Sequence, residues 1–111
     1  MKGIVTLCGS VRFEKEFKQV TEELTKAGWI VLGPVFFSNH KAMHNPEMAE
    51  LKTKMDKLHI RRVRISEYVV IINKDKYIGI STSREQWYAT KFNKTILFYH
   101  SKTWKQLLRG P

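Results

Sequence analysis

The chain contains 111 residues, with 20 Lys and Arg against 10 Asp and Glu, which gives a net charge of +10 at neutral pH. This length is that of one domain, and a hydrophobic content of 42% can fill a core and excludes a disordered protein. The single cysteine, Cys8, excludes an intramolecular disulfide framework and a zinc cluster built from several thiols.

The first half of the chain predicts two strands separated by a helix. Residues 3–8 form a β-rich apolar run that indicates a buried strand. Apolar residues then recur at spacings of three and four over residues 13–27, which predicts an amphipathic helix. Gly28 follows as the expected left-handed residue, and residues 29–32 predict the second strand. Residues 35–46 show no period and predict a long loop, of the kind that often covers a site.

The second half continues the alternation of helices and strands. A second helix is predicted from Pro46 to about Ser66. The apolar stripe that indicates this helix contains Met48, Leu51, Met55, Leu58 and Ile65. Residues 68–73 are the strongest strand signal of the chain, and a third helix is predicted from Ser83 to about Phe92. Residues 95–99 predict the fourth strand, and residues 102–108 a short terminal helix.

This alternating order predicts an α/β protein, a three-layer sandwich of the Rossmann or flavodoxin-like type. The sheet is expected to be parallel, with four or five strands in the order 2-1-3-4. In such sheets a ligand binds beyond the carboxyl ends of the strands, where the strand order reverses. The loops that follow strands 1 and 3 are therefore expected to face one site.

The loop after the first strand has the residues of an anion site. Gly9 and Ser10 would let backbone N–H groups and the start of the first helix approach an anion, and the side chains of Ser10 and Arg12 are further donors. The loop is neither a Walker A sequence nor the three-glycine dinucleotide fingerprint. A simpler interpretation, equally open, is that Ser10 only caps the first helix.

The loop after the third strand allows two interpretations of Glu85. Thr82 and Glu85 have the spacing of a capping box, in which both side chains bind N–H groups at the start of a helix. Alternatively, the first turn of that helix presents the Glu85 carboxylate to the crevice, where it acts as a nucleophile or base. The two interpretations differ in where the carboxylate points.

Three separated segments carry a recognisable combination of motifs. They are Cys8-Gly9-Ser10 with Arg12 and Phe13, Leu58-His59 with Arg62 ahead of Ser66-Glu67-Tyr68, and Tyr77-Ile78-Gly79 with Ser81, Thr82 and Glu85. Together these segments resemble the nucleoside 2-deoxyribosyltransferase-like family, whose relatives include deoxynucleoside 5′-monophosphate N-glycosidases. The resemblance covers residues 3–99.

The resemblance implies a flavodoxin-like sheet and cleavage of the N-glycosidic bond between a base and deoxyribose. Glu85 occupies the position of the glutamate that attacks the anomeric carbon, and water or a second base then accepts the sugar. The resemblance also implies a homo-oligomer. Neither a cofactor nor a metal ion is expected from the sequence. Residues that would hold the substrate, including its phosphate, are Gly9, Ser10, Arg12, Ser81 and Ser83.

Two positions depart from the family pattern. Thr6 stands where active members place a tyrosine, and His59 stands where they place an aspartate. A histidine has a suitable pKa to donate a proton to the departing base. It is equally compatible with a protein that binds nucleotides without cleaving them.

The charge distribution and the search for targeting segments bear on the remaining partners and on localisation. Four basic residues at helical spacing form one face of the second helix, which is either a solvated surface or, less favoured, a nucleic-acid contact. These residues are Lys54, Lys57, Arg61 and Arg64. The N-terminal apolar run is too short for a signal peptide, and no stretch of about 18 apolar residues occurs. A cytoplasmic protein without a membrane partner is therefore expected.

Overall fold

Four parallel strands form the central sheet of the computed structural model, which describes residues 2–36 and 46–110. The strands are β1 (Ile4–Gly9), β2 (Ile30–Leu32), β3 (Tyr68–Ile72) and β4 (Thr95–Phe98). They lie in the order β2-β1-β3-β4, and each neighbouring pair runs parallel. The structure confirms the α/β sandwich and its strand order.

Within the described residues, three α-helices and three short 3₁₀ segments connect or follow these strands. The helices are α1 (Glu14–Lys26), α2 (Pro46–Ile65) and α3 (Ile80–Lys91), and the 3₁₀ segments are Val11–Phe13, Lys74–Lys76 and Thr103–Leu108. Residues 37–45, most of the predicted long loop, lie outside the described residues. Within the two described ranges, no helix has the length and hydropathy needed to cross a membrane.

The sheet separates two apolar layers, because successive side chains of a strand point to opposite faces. Val5 and Leu7 of β1 pack with α1 and the C-terminal 3₁₀ segment. Cys8 belongs to the opposite layer, together with Val63 of α2 and Ala89 of α3. This alternation places Cys8 on the same side of the sheet as α2 and α3.

Helix α1 follows its sequence pattern closely. The apolar stripe faces the sheet, with Phe17, Val20 and Leu24 almost fully buried. After the helix, Gly28 has a φ of +100°, a left-handed conformation that glycine adopts without a steric penalty. The predicted helix and its ending are therefore confirmed.

Helix α3 begins three residues earlier than predicted. Gly79 is its N-cap, in an extended conformation, and no side chain caps the helix. Ser81, Thr82 and Ser83 all lie within the helix. The general preference of Ser and Thr for helix caps and turns therefore predicts the wrong starting residue here. The capping-box interpretation of Thr82 and Glu85 is wrong, because Glu85 lies in the second turn rather than the first.

The second half of helix α2 buries a different face from the predicted stripe, whereas Met48, Leu51 and Met55 of that stripe are partly buried. Leu58 and Ile65 of that stripe are 37% and 62% exposed, whereas His59 and Val63 are 4% and 0% exposed. The turn that faces the sheet near the ends of β1 and β3 is thus partly polar. A hydrophobic stripe does not reveal such a face, because one of its buried side chains is the polar His59.

Candidate active site

An open cavity of about 520 Å³ lies at the carboxyl ends of β1 and β3. It is lined by the loops after these two strands, by one face of α2 and by the first turns of α3. The location is the one expected from the strand order, since β1 and β3 are the neighbours at which the order reverses. Gly9, Ser10, Ser81 and Glu85, four of the predicted site residues, line this cavity.

The loop after β1 has clear structural roles at the cavity wall. The Ser10 side chain accepts a hydrogen bond from the backbone N–H of Arg12 at 3.3 Å, so it does cap the short 3₁₀ segment. A Cβ atom at Gly9 would lie 2.8 Å from the backbone oxygen of Ile72, closer than real Cβ contacts allow. Gly9 therefore lets β1 approach β3 closely.

The other predicted substrate-binding residues differ in position. Ser81 lies on the cavity wall, but Ser83 is exposed and is not among the lining residues. Arg12 also lies off the wall, and its guanidinium stacks 4.1 Å from the ring centroid of Tyr77, which does line the cavity. Arg12 thus supports the aromatic wall at the edge of the cavity.

Glu85, in the second turn of α3, lines the cavity. Its side chain is only 13% exposed, and its pKa is raised to about 7. Burial is the main cause, and the negative charge of Asp56 adds to it, whereas the Cys8 thiol and the charge of Arg84 act in the opposite direction. A carboxyl group with this pKa changes its protonation state near neutral pH.

His59 lies behind Glu85 and does not line the cavity. Its Nε2 atom is 3.3 Å from Cys8 Sγ and 3.8 Å from Glu85 Oε1. Burial and the charge of Arg62 lower the pKa of His59 to about 4, with the Leu7 backbone acting weakly against the shift. The imidazole is therefore neutral at neutral pH, a state that does not suit the proton donor suggested by the sequence.

Cys8 is completely buried beside these two groups. Burial and the neighbouring Glu85 carboxylate raise the pKa of the thiol well above its usual value. A thiol in this state is a poor nucleophile, since the thiolate is the reactive form. Cys8 therefore has no role as a free nucleophile in this arrangement.

Thr6, the other position that departs from the pattern of the family that the chain resembles, has a structural role. Its side chain is completely buried on the face toward α2, where its hydroxyl donates to the backbone oxygen of Arg62 at 3.0 Å. The same hydroxyl contacts the hydroxyl of Ser66. Thr6 thereby ties β1 to the end of α2 and does not line the cavity.

Two residues of α2 on the cavity wall were missed in the sequence. Lys52 and Asp56 line the cavity, and Asp56 also acts electrostatically on Glu85. A usable signal was present, since Asp56 is the only acidic residue between positions 51 and 66. Its spacing of four from Lys52 and three from His59 places all three residues on one side of the helix.

The ligand atoms of Cys8, His59 and Glu85 all lie within 4.8 Å of one another. A thiol, an imidazole and a carboxyl are the side chains that bind zinc and similar ions. The sequence predicted no metal site because the thiol is single and because β1, α2 and α3 contribute one group each. Only the folded structure shows that these three groups lie close together.

The comparisons with known proteins give no further indication of function. No protein-family model matches the chain, and no significant match was found among curated proteins. The functional argument therefore rests on the residues of the cavity.

Proposed function

We propose that the protein cleaves or transfers the N-glycosidic bond of a deoxynucleoside or its 5′-monophosphate, with Glu85 as the nucleophile. The observation that carries this proposal is that the largely buried Glu85 lines the same cavity as Gly9 and Ser10 of the loop after β1. It agrees with the function implied by the family resemblance. The cavity volume is within the range of small-molecule sites.

In the proposed reaction, a carboxylate oxygen of Glu85 attacks the anomeric carbon of the sugar. The carbon–nitrogen bond breaks, its electron pair leaves with the base, and the base takes a proton from water. Water or a second base then attacks the same carbon, which frees the carboxylate. The covalent intermediate divides one difficult displacement into two easier ones.

The walls of the cavity suit the two ends of a nucleotide. Ser10, Ser81 and Lys52 offer hydroxyl and ammonium donors for a 5′-phosphate. Tyr77 and Met55 offer aromatic and apolar surface for a base. Among the described residues that line the cavity, Lys52 is the only basic one, so the substrate phosphate is expected on its side.

The direct test is incubation with deoxynucleosides and their 5′-monophosphates, followed by chromatography of the free bases. Base release is expected from at least one substrate, and Glu85→Gln should reduce it by about 10³-fold or more. Glu22→Gln, which changes an exposed carboxylate on α1, is the matched control and should retain full activity. No release from any substrate, or equal release by Glu85→Gln, would refute the proposal.

Lys52→Ala tests whether Lys52 binds the phosphate of the substrate. It is expected to raise KM for the monophosphate and to leave KM for the nucleoside nearly unchanged. An equal effect on both substrates would show that Lys52 does not bind the phosphate.

A second candidate function is nucleotide binding without turnover. Its supporting observation is that neither Thr6 nor His59 lines the cavity. These two positions therefore supply no equivalent of the tyrosine and the aspartate found there in active members of the family that the chain resembles. Titration calorimetry that detects nucleotide binding in the absence of base release would favour this function. Binding of no nucleotide would remove it.

A homo-oligomer is part of the proposal, by analogy with the family that the chain resembles. Helix α3 supports it, because Ile80 and Trp87 are 85% and 56% exposed, which is unusual for large apolar side chains. Analytical ultracentrifugation should give at least twice the mass of 13.1 kDa. Trp87→Lys should return the protein to the mass of one chain.

A further inference from the structure

We propose that Cys8, His59 and Glu85 form a binding site for a divalent transition-metal ion of the zinc class, with one coordination position open to the cavity. The inference goes beyond the proposed function, because metal binding to the protein alone requires no glycosidic reaction. It rests on the position of three side chains that belong to three different elements of the fold.

The distances between the three groups are close to those of a zinc site. In a tetrahedral zinc site, bond lengths of about 2.0–2.3 Å place neighbouring ligand atoms about 3.3–3.6 Å apart. Here Cys8 Sγ lies 3.3 Å from His59 Nε2, which lies 3.8 Å from Glu85 Oε1. Since no pair of the ligand atoms exceeds 4.8 Å, a movement of roughly 1 Å by the Glu85 carboxylate completes the site.

The surroundings hold two of the ligands firmly and leave the third adjustable. Cys8 lies in β1, opposite Ile71 of β3, and its side chain is fully buried. His59 is 4% exposed on α2, with Nε2 directed at the other two ligands. Glu85 borders the cavity, so its carboxylate has room to move and the metal would reach the site from that side.

The chemistry of the ligands selects the class of ion. Thiolate and imidazole are soft and intermediate ligands that favour zinc and its neighbours in the transition series, whereas magnesium and calcium prefer oxygen ligands. Three protein ligands and one open position are typical of sites that exchange a water or substrate atom. The bound ion would also occupy the Glu85 carboxylate, so metal binding and nucleophilic attack by Glu85 exclude each other; this last consequence rests on the proposed function.

The test uses the full chain after chelator treatment, titrated with Co²⁺ and followed by absorption spectroscopy. Because Cys8 is the only cysteine, a thiolate-to-cobalt band in the near ultraviolet can come only from this residue. One equivalent of Co²⁺ should produce this band and the visible bands of a tetrahedral ion, and Zn²⁺ should remove both. Zn²⁺ should also raise the Tm.

Variants assign the ligands. Cys8→Ser is expected to lose the thiolate band, and Glu85→Gln and His59→Gln to weaken Co²⁺ binding at least tenfold. The control is His100→Gln, which removes a histidine outside the site and should keep the wild-type spectrum and affinity. Circular dichroism checks whether each variant is folded. Because Glu85 borders the cavity, Glu85→Gln remains the deciding variant if substitution of a buried ligand prevents folding.

Two results would overturn the proposal. One is the absence of a thiolate band with Co²⁺ in the wild-type protein, even if cobalt binds elsewhere on the chain. The other is a wild-type affinity for Co²⁺ in Glu85→Gln. Neither result affects the proposed glycosidic reaction, which is judged by base release in the presence of a chelator.

Discussion

His59 Nε2 lies 3.8 Å from Glu85 Oε1, and both side chains are largely buried. The two pKa values move in opposite directions, to about 4 for His59 and about 7 for Glu85. Between these values the imidazole is neutral and the carboxyl is protonated, whereas free histidine and glutamate would carry opposite charges over much of that range. Burial therefore converts a potential ion pair into an uncharged pair.

Because the pair is uncharged, the variants His59→Gln and Glu85→Gln should show opposite pH dependences of stability. The raised pKa of Glu85 contributes stability that is complete below its ordinary value of 4.5 and is lost as the pH rises through about 7. The lowered pKa of His59 contributes stability that is complete above its ordinary value of 6.5 and is lost as the pH falls through about 4. Between pH 4.5 and 6.5 the two slopes therefore oppose each other in the wild-type protein.

Each variant should reveal one of these slopes. In His59→Gln the free energy of unfolding should fall as the pH rises over this range, and in Glu85→Gln it should rise. Each slope is at most about 1.4 kcal/mol per pH unit, the value for one proton. Urea unfolding of both variants and the wild-type protein at several pH values measures the slopes. Parallel slopes in the two variants would contradict the assignment of the pKa shifts.

Asp56→Asn should make Glu85 more acidic. Asp56 raises the pKa of Glu85 through its negative charge, so removal of that charge moves the ionisation of Glu85 to lower pH. An NMR titration of the labelled Glu85 carboxyl measures this directly, and the pH midpoint of base release should move in the same direction. Glu50→Gln, an exposed carboxylate on the same helix, is the control. An unchanged Glu85 pKa in Asp56→Asn would show that the two carboxyl groups do not interact.

Gly9→Ala should destabilise the protein by about 1–3 kcal/mol, a typical cost of overpacking. The new Cβ atom would lie 2.8 Å from the Ile72 backbone oxygen and 3.0 Å from the Ile72 Cβ, so β1 and β3 must move apart. Gly33→Ala is the matched control, because its Cβ would have no described atom within 4 Å. Thermal unfolding of the two variants provides the comparison, and equal stability would show that the strands adjust freely.

Thr6→Val should cost about 1 kcal/mol of stability, the net value of one hydrogen bond. The substitution removes the hydroxyl that donates to the Arg62 backbone oxygen, while the side-chain shape is nearly unchanged. Thr53→Val removes an exposed hydroxyl that bonds a backbone oxygen of α2, and its effect should be within about 0.5 kcal/mol. Nucleotide binding by Thr6→Val should be unchanged; weaker binding would indicate that Thr6 contributes to the site.

The helix boundaries show where sequence patterns are reliable. Helix α1 was predicted well because its apolar stripe faces a uniform apolar layer and Gly28 ends it. Helix α3 was predicted to start too late, because Ser and Thr are favoured at N-caps, whereas the N-cap here is Gly79 and the serines lie inside the helix. In the second half of α2 the stripe was misleading, since Leu58 is 37% exposed and the neighbouring His59 is buried.

The sequence by itself determined the order of elements, the parallel sheet and the edge of the sheet at which the cavity lies. These follow from local periodicity, from glycine positions and from the few topologies that short right-handed connections allow. Only the tertiary structure decided that Cys8, His59 and Glu85 meet, that Asp56 and Lys52 join Glu85 at the cavity, and that Thr6 and Arg12 do not line it. The physical reason is that these contacts join residues far apart in the chain, and their protonation depends on burial, which no local pattern encodes.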